Sequence, residues 1–145
     1  MAQVANHAQA ERKFLRYAMQ KLGTESDDGG FEISFGDLFV DITFEQIFEG
    51  LPGTLFGAKN KKMVTYNAPM LLYPTHKDVV VKLKKKKLVD TDAVKEELAN
   101  YISGHHKGFM KENLLFLLAA MDESQQAYAK AVQLFAKSSI SEERK

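Results

Sequence analysis

The chain has 145 residues, 45% of them apolar, with ten phenylalanines and no cysteine. That length allows one ordinary domain, or a small domain with an appendage, and the missing cysteine excludes disulfides and thiolate metal sites. The net charge of +1 conceals two opposed blocks: residues 24–58 carry eight acidic side chains and no Lys or Arg, and residues 59–87 carry nine Lys against one Asp.

Adjacent blocks of opposite sign make a dipolar domain with one acidic and one basic side. Lysines also solubilise a wing and its edge strand, so a binding face and a solvated face both fit the pattern. The opening MAQVANHAQAERKF has no apolar core of a signal peptide. The most apolar run, Leu114 to Met121, falls far short of the roughly 20 residues a membrane span needs. These features point to a soluble, cytoplasmic protein.

Phe14, Leu15, Ala18, Met19 and Leu22 recur at helical spacing and predict a helix over about 6–22, with Gly23 as a left-handed C-cap. The polar TESDDGG connects it to a short strand, Phe31 to Ser34. A brief helix over Phe35 to Asp41 buries Leu38 and Phe39. The next helix starts near Thr43 as N-cap and carries Phe44, Ile47, Phe48 and Leu51 on its apolar face. Pro52 must kink or restart it, most cleanly as the first position of a new helix. Met63 to Tyr66 reads as a strand, since β-branched and aromatic residues fit a pleated surface. Asn67 to Thr75, with two prolines, is a loop or wing, and Asp78 to Leu83 supplies the returning strand.

A helix followed by a two-stranded wing is the back half of a winged-helix domain. The expected fold is therefore α+β: three helices with a small antiparallel sheet, over residues 1–87. Four consecutive lysines, Lys84 to Lys87, cannot be buried and end that domain. Residues 88–145 then form a helical extension. Its first helix runs over about 91–103, with Val94, Leu98, Tyr101 and Ile102 on one face. Its second runs over about 108–137, roughly 45 Å at ~1.5 Å per residue. Met110, Leu114, Leu117, Met121, Ser124, Tyr128, Ala131 and Phe135 alternate steps of four and three along it. That is a heptad seam weakened by Ser124, packed on the chain's own helices or offered to a partner through Met110, Leu114, Leu117, Met121, Tyr128 and Phe135.

The pattern GTL-x-x-AK-x-x-K-x-VTY over Gly53 to Tyr66, then Leu71-Leu72 and His76-x-Asp78-Val79, resembles the costars family. That domain ends actin-binding Rho-activating proteins and also stands alone as a small cytosolic protein. Ile33-Ser34-Phe35-Gly36, Leu38-Phe39 and Phe48-Glu49 follow the family's order, so the resemblance covers about residues 8–84. It departs at Ala68-Pro69, where the family usually has Gly-Glu, at Lys77, usually acidic, and at Pro52. The resemblance implies actin association or regulation of actin dynamics, directly or through an actin-severing partner.

Catalysis finds no support in the residues. Of His7, His76, His105 and His106 only the last two are close, and adjacent positions point to different helix faces, so no metal pair is expected. His76 is expected to hydrogen-bond the wing. Asp27-Asp28 with its glycines is too short for a calcium loop, and no GxGxxG, Walker, GxSxG or HExxH pattern occurs. The expectation is no enzyme, no cofactor and no metal site. A nucleic-acid reader would place its third helix in the major groove. The helical stretch 44–58 instead carries Glu45 and Glu49 and no basic residue, and carboxylates repel a phosphate groove.

A protein-binding module remains. Its basic face comprises Lys59, Lys61, Lys62, Lys77, Lys82, Lys84, Lys85, Lys86 and Lys87, set to meet an acidic filament in salt-sensitive contacts. Phe56, Tyr66 and Tyr73 are candidate anchors, with a core role the duller alternative for Tyr66. A second reading takes the appended helices as the anchor of a structural subunit in a larger cytoskeletal assembly, ciliary, axonemal or otherwise microtubule-based.

Overall fold

The computed structural model describes residues 2–143, with side chains from His7 to Ala136. Its contacts divide the chain after Val94 into two compact units. The first begins with α1 (Ala2–Leu22), after which the chain passes through a four-stranded antiparallel sheet and three short helices before reaching the lysine run. β1 (Thr24–Glu25), β2 (Phe31–Ser34), β3 (Val64–Thr65) and β4 (Val80–Leu83) lie in the order β1-β2-β4-β3. β2 and β4 form its centre, with Ile33 opposite Val81 and Phe31 opposite Leu83. Ile33, Val81 and Leu83 are buried while Val80 and Lys82 are exposed, the two-residue alternation of a strand with one wet face.

Against this sheet packs the apolar stripe of α1, where Phe14, Leu15, Ala18 and Met19 are buried as their spacing predicts. Tyr17, outside that predicted stripe, is also fully buried and meets Phe44 at 6.4 Å between ring centroids. Gly23 is not a left-handed cap: its backbone stays outside the positive-φ region. A Cβ there would come within 2.6 Å of the carbonyl oxygens of Glu32 and Met19, so glycine lets β2 close onto the end of α1.

α2 (Phe35–Phe39) is capped by Ser34, whose Oγ accepts from the Asp37 N–H. The helix expected with Thr43 as its N-cap is capped two residues earlier and is short. Asp41 is the N-cap of α3 (Ile42–Glu45), its Oδ1 accepting from the N–H groups of Thr43 and Phe44, and Thr43 is buried. α4 (Leu51–Asn60) then starts afresh with Gly50 as N-cap and Pro52 in its first turn. Missing its N–H, proline costs nothing in that first turn. Leu51, Leu55 and Ala58 pack inward, and α4 lies on α1.

The lysine run forms a short 3₁₀ turn, Lys85–Lys87. The chain stays attached to the first unit beyond it. Gln20 on α1 accepts from the Val89 N–H at 2.8 Å and donates to the Val89 carbonyl at 3.2 Å. The Arg16 guanidinium donates to the Lys87 carbonyl at 3.3 Å. A side-chain amide thus replaces a strand partner for Val89, and the unit extends to Val94 rather than stopping at Lys87.

The division falls within α5 (Thr91–His105), whose buried positions are Val94, Leu98 and Ile102. The single helix expected over 108–137 is two: α6 (Gly108–Glu123) and α7 (Gln125–Glu143), packed on each other. Ser124 separates them with an extended backbone, φ −172° and ψ 163°, and its Oγ caps α7 by accepting from the Ala127 N–H at 2.9 Å. Serine competes for backbone donors and so favours caps over helix interiors. Lys95 Nζ reaches Asp122 Oδ2 at 2.9 Å and joins α5 to α6.

Candidate protein-binding surfaces

Lys61 and Lys62 end α4 in a tight turn, with Lys62 at φ 61°. The Lys84 N–H donates to the Met63 carbonyl at 3.3 Å, which brings the start of the four-lysine run beside that turn. Lys61, Lys62, Lys84, Lys85, Lys86 and Lys87 therefore share one end of the sheet, where β3 begins and β4 ends. Among the described residues none of them is ion-paired with an acid. The carbons of Lys85 lie against Gly29, so its stem covers the backbone while its ammonium reaches water.

Lys59 and Lys77 of the face expected from the sequence stand apart, while Lys82 precedes the run on β4. Lys59 Nζ sits 4.3 Å from the Tyr66 ring centroid and donates to the Ala68 carbonyl at 3.4 Å, which holds the strand's end rather than facing outward. Tyr66 is buried, and that burial raises its hydroxyl pKa. Lys82 lies opposite Glu32 in the pairing of β2 with β4, and, after the hydrogen bonds from Ser26 and Gly30, its charge is a smaller contribution to lowering the pKa of Asp28. Lys77 precedes β4, at the far end of the strand from Lys84, where its carbonyl accepts from the Gly36 N–H.

Two of the three proposed anchors are exposed. Phe56 is 54% exposed and Tyr73 44%, the latter stacked on Phe39 at 4.6 Å. Met70, Leu72 and Val40 extend the exposed apolar surface of this unit. Phe39 and Val40 also border a recess of about 410 Å³ with Phe44, Phe48, Leu51 and Pro52 in its lining and Glu45 and Glu49 at its edge. The sequence signal for this surface was weak, because Phe39 and Val40 look like any core pair until the early end of α2 turns them outward. His76 does what its position implied: its Nδ1 accepts from the Leu72 N–H at 3.0 Å and closes the loop before β4.

On the helical unit, Leu114, Leu117, Met121 and Tyr128 are buried, and Met110 and Phe135 are half-buried. Among the described residues, the large apolar side chains that this unit exposes are Phe109 and Phe116, two turns apart on α6, and Leu134 on α7. His105 is held by its own helix, with Nδ1 2.8 Å from the Tyr101 carbonyl and its ring stacked on Tyr101. No helix of the described residues is long and apolar enough to cross a membrane.

Comparison with known proteins accounts for the first unit. The Costars family model matches residues 7–84. The Costars family protein ABRACL of Bos taurus is 41% identical over 69 residues, 48% of this chain and 85% of that protein. A Costars family protein of Picea sitchensis is 38% identical over 79 residues, 54% of this chain and 83% of that one. The solution structure of human HSPC280 protein shares 38% identity over 52% of this chain and 89% of its own, with a TM-score of 0.48. With more than half its length matched and most of each relative covered, the chain belongs to the Costars family.

Proposed function

We propose that the chain is a non-enzymatic protein-binding module of the cytoskeleton, which binds actin or an actin regulator and modulates actin dynamics. The observation that carries this reading is the gathering of Lys61, Lys62 and Lys84 to Lys87 at one end of the sheet, in a unit that also exposes Phe56. Actin enters through Costars membership. Six ammonium groups steer encounter with an acidic filament, and an exposed aromatic supplies the desolvated contact that charge alone does not. In this reading the first unit is winged-helix-like, with α4 as its third helix and residues 66–79 as its wing. The break between α3 and α4, and Glu45 and Glu49 beside it, argue against use of that helix in a DNA groove.

The test is co-sedimentation with actin filaments of the chain and of a Lys61→Glu, Lys62→Glu, Lys85→Glu variant. The variant is expected to lose at least tenfold in affinity, while Lys77→Glu, at the other end of β4, loses little. Equal pelleting of the triple variant and the parent contradicts the assignment.

A second reading, a structural subunit of a larger cytoskeletal assembly anchored by the helical extension, draws on exposed Phe109, Phe116 and Leu134. These residues lie beyond the family match. Nothing in the comparisons points to a cilium or an axoneme in particular.

A further inference from the structure

His7 and Glu11 stand one turn apart on α1, and Glu49 reaches the same point from the turn between α3 and α4. One ligand atom from each of the three lies within 4.8 Å of the others. His7 Nε2 is 2.9 Å from Glu11 Oε1 and 3.6 Å from Glu49 Oε1. The shorter contact is not an aligned hydrogen bond, for Nε2 is buried and has no hydrogen-bond partner. A hydrogen bond sets the acceptor on the N–H line. In a metal site the ion occupies the line of the ring nitrogen's lone pair instead, and a neighbouring ligand falls to one side of it. Two ligands each about 2.1 Å from one ion lie roughly 3.0 Å apart at a right angle and roughly 3.4 Å apart in a tetrahedron. The two observed separations lie close to these values.

Glu11 is only 8% exposed, and a buried carboxylate requires a countercharge and hydrogen bonds. Its Oε2 accepts from Thr54 Oγ1 of α4 at 2.8 Å, which fixes the carboxylate's orientation and turns Oε1 toward His7. An oriented carboxylate of this kind is how outer partners position a metal ligand. A recess of about 400 Å³ lined by His7, Glu11, Glu49 and Thr54 opens beside the group, with room for a water in a fourth position. One imidazole and two carboxylates form a donor set for a borderline first-row cation.

We propose that His7, Glu11 and Glu49 form a divalent-cation site, best matched to Zn²⁺, which clips α1 to the turn between α3 and α4. Glu49 is exposed and His7 half-exposed, so each can be changed without opening the core. This site is independent of the lysine cluster and of actin.

The experiment is a calorimetric titration of the tag-free full chain with Zn²⁺, paired with thermal unfolding at increasing Zn²⁺. One ion per chain is expected, with an unfolding midpoint that rises with zinc. His7→Gln and Glu49→Gln should each weaken binding at least tenfold and abolish the rise, with zinc-free midpoints near the parent's. A His105→Gln, His106→Gln variant should bind as the parent does. The proposal is overturned if zinc fails to bind, if binding survives His7→Gln, or if it is lost with the adjacent histidines. An unfolding midpoint that responds to pH but not to zinc leaves a plain histidine–carboxylate ion pair and overturns it equally.

Discussion

Lys62 turns the chain from α4 into β3 with φ 61°, a left-handed backbone that costs a residue with a Cβ on the order of 1 kcal/mol. Lys62→Gly is expected to raise stability by about 1 kcal/mol, read as a higher urea midpoint at unchanged slope. Lys61→Gly, at φ −84°, removes the same charge without that relief and should not stabilise. A second local case is Asp28. Its carboxylate accepts from Ser26 Oγ at 2.6 Å and from the Gly30 N–H at 3.0 Å, and these bonds, the serine's first, lower its pKa below the usual 3.8. A lowered folded pKa means the turn's stabilisation is complete above about 3.8 and is lost as pH falls through the lower folded value. Amide signals of Ser26 to Gly30 should accordingly move as a group only in that acid range, and Asp28→Asn should remove the transition. Tyr66 has the opposite sign: burial raises its pKa above 10.0, so its contribution is intact below that value and fades as pH climbs through the raised one. The glycines at 23 and 30 were legible as turn signals but not in role. At Gly30 a Cβ would come within 2.1 Å of the Leu83 carbonyl oxygen, a fact about a strand far along the chain that local spacing does not contain.

Among the elements, sequence periodicity served best where one face is buried over several turns. α1 and the central strands fall where the apolar spacing puts them, because burial selects one stripe on a helix and alternate residues on a strand. It served worst at element ends. The seam from Met110 to Phe135 keeps its apolar rhythm across Ser124, so periodicity reads one helix where a cap makes two. Rhythm records which residues are buried, not whether the backbone between them is continuous. Ser124→Ala should cost about 1 kcal/mol by removing the cap of α7, seen as a lower unfolding midpoint; a stabilised variant would contradict the capping role. The early end of α2 has a similar cause, since Asp41 offers its carboxylate to the next helix and the chain takes that cap. Gln20 is the other element-scale device. Gln20→Ala removes both bonds to Val89 and is expected to destabilise the first unit by about 1–2 kcal/mol, with hydrogen exchange accelerated at Val89.

At the scale of the molecule, the charge blocks in the sequence are realised in part. The lysines could be read as exposed from their number alone, and six of the nine converge because β4 delivers the 84–87 run beside the α4–β3 turn. That Lys59 and Lys77 are drawn elsewhere, to Tyr66 and to α2 respectively, depends on partners no spacing rule specifies. The His7, Glu11 and Glu49 group was invisible for the same reason: its third member comes from another element. Family membership covers residues 7–84 and leaves the helical unit outside the match, with its heptad residues largely buried and Phe109, Phe116 and Leu134 outward. The measurement that bears most directly on the proposed role is co-sedimentation of the full chain with actin filaments across a salt series, with microtubules in parallel. Binding to actin that weakens steeply as salt rises, with none to microtubules, is the predicted result, since exposed ammonium contacts are screened beyond about 8 Å at physiological ionic strength. A folded chain that pellets with neither filament contradicts direct filament binding through the lysine cluster.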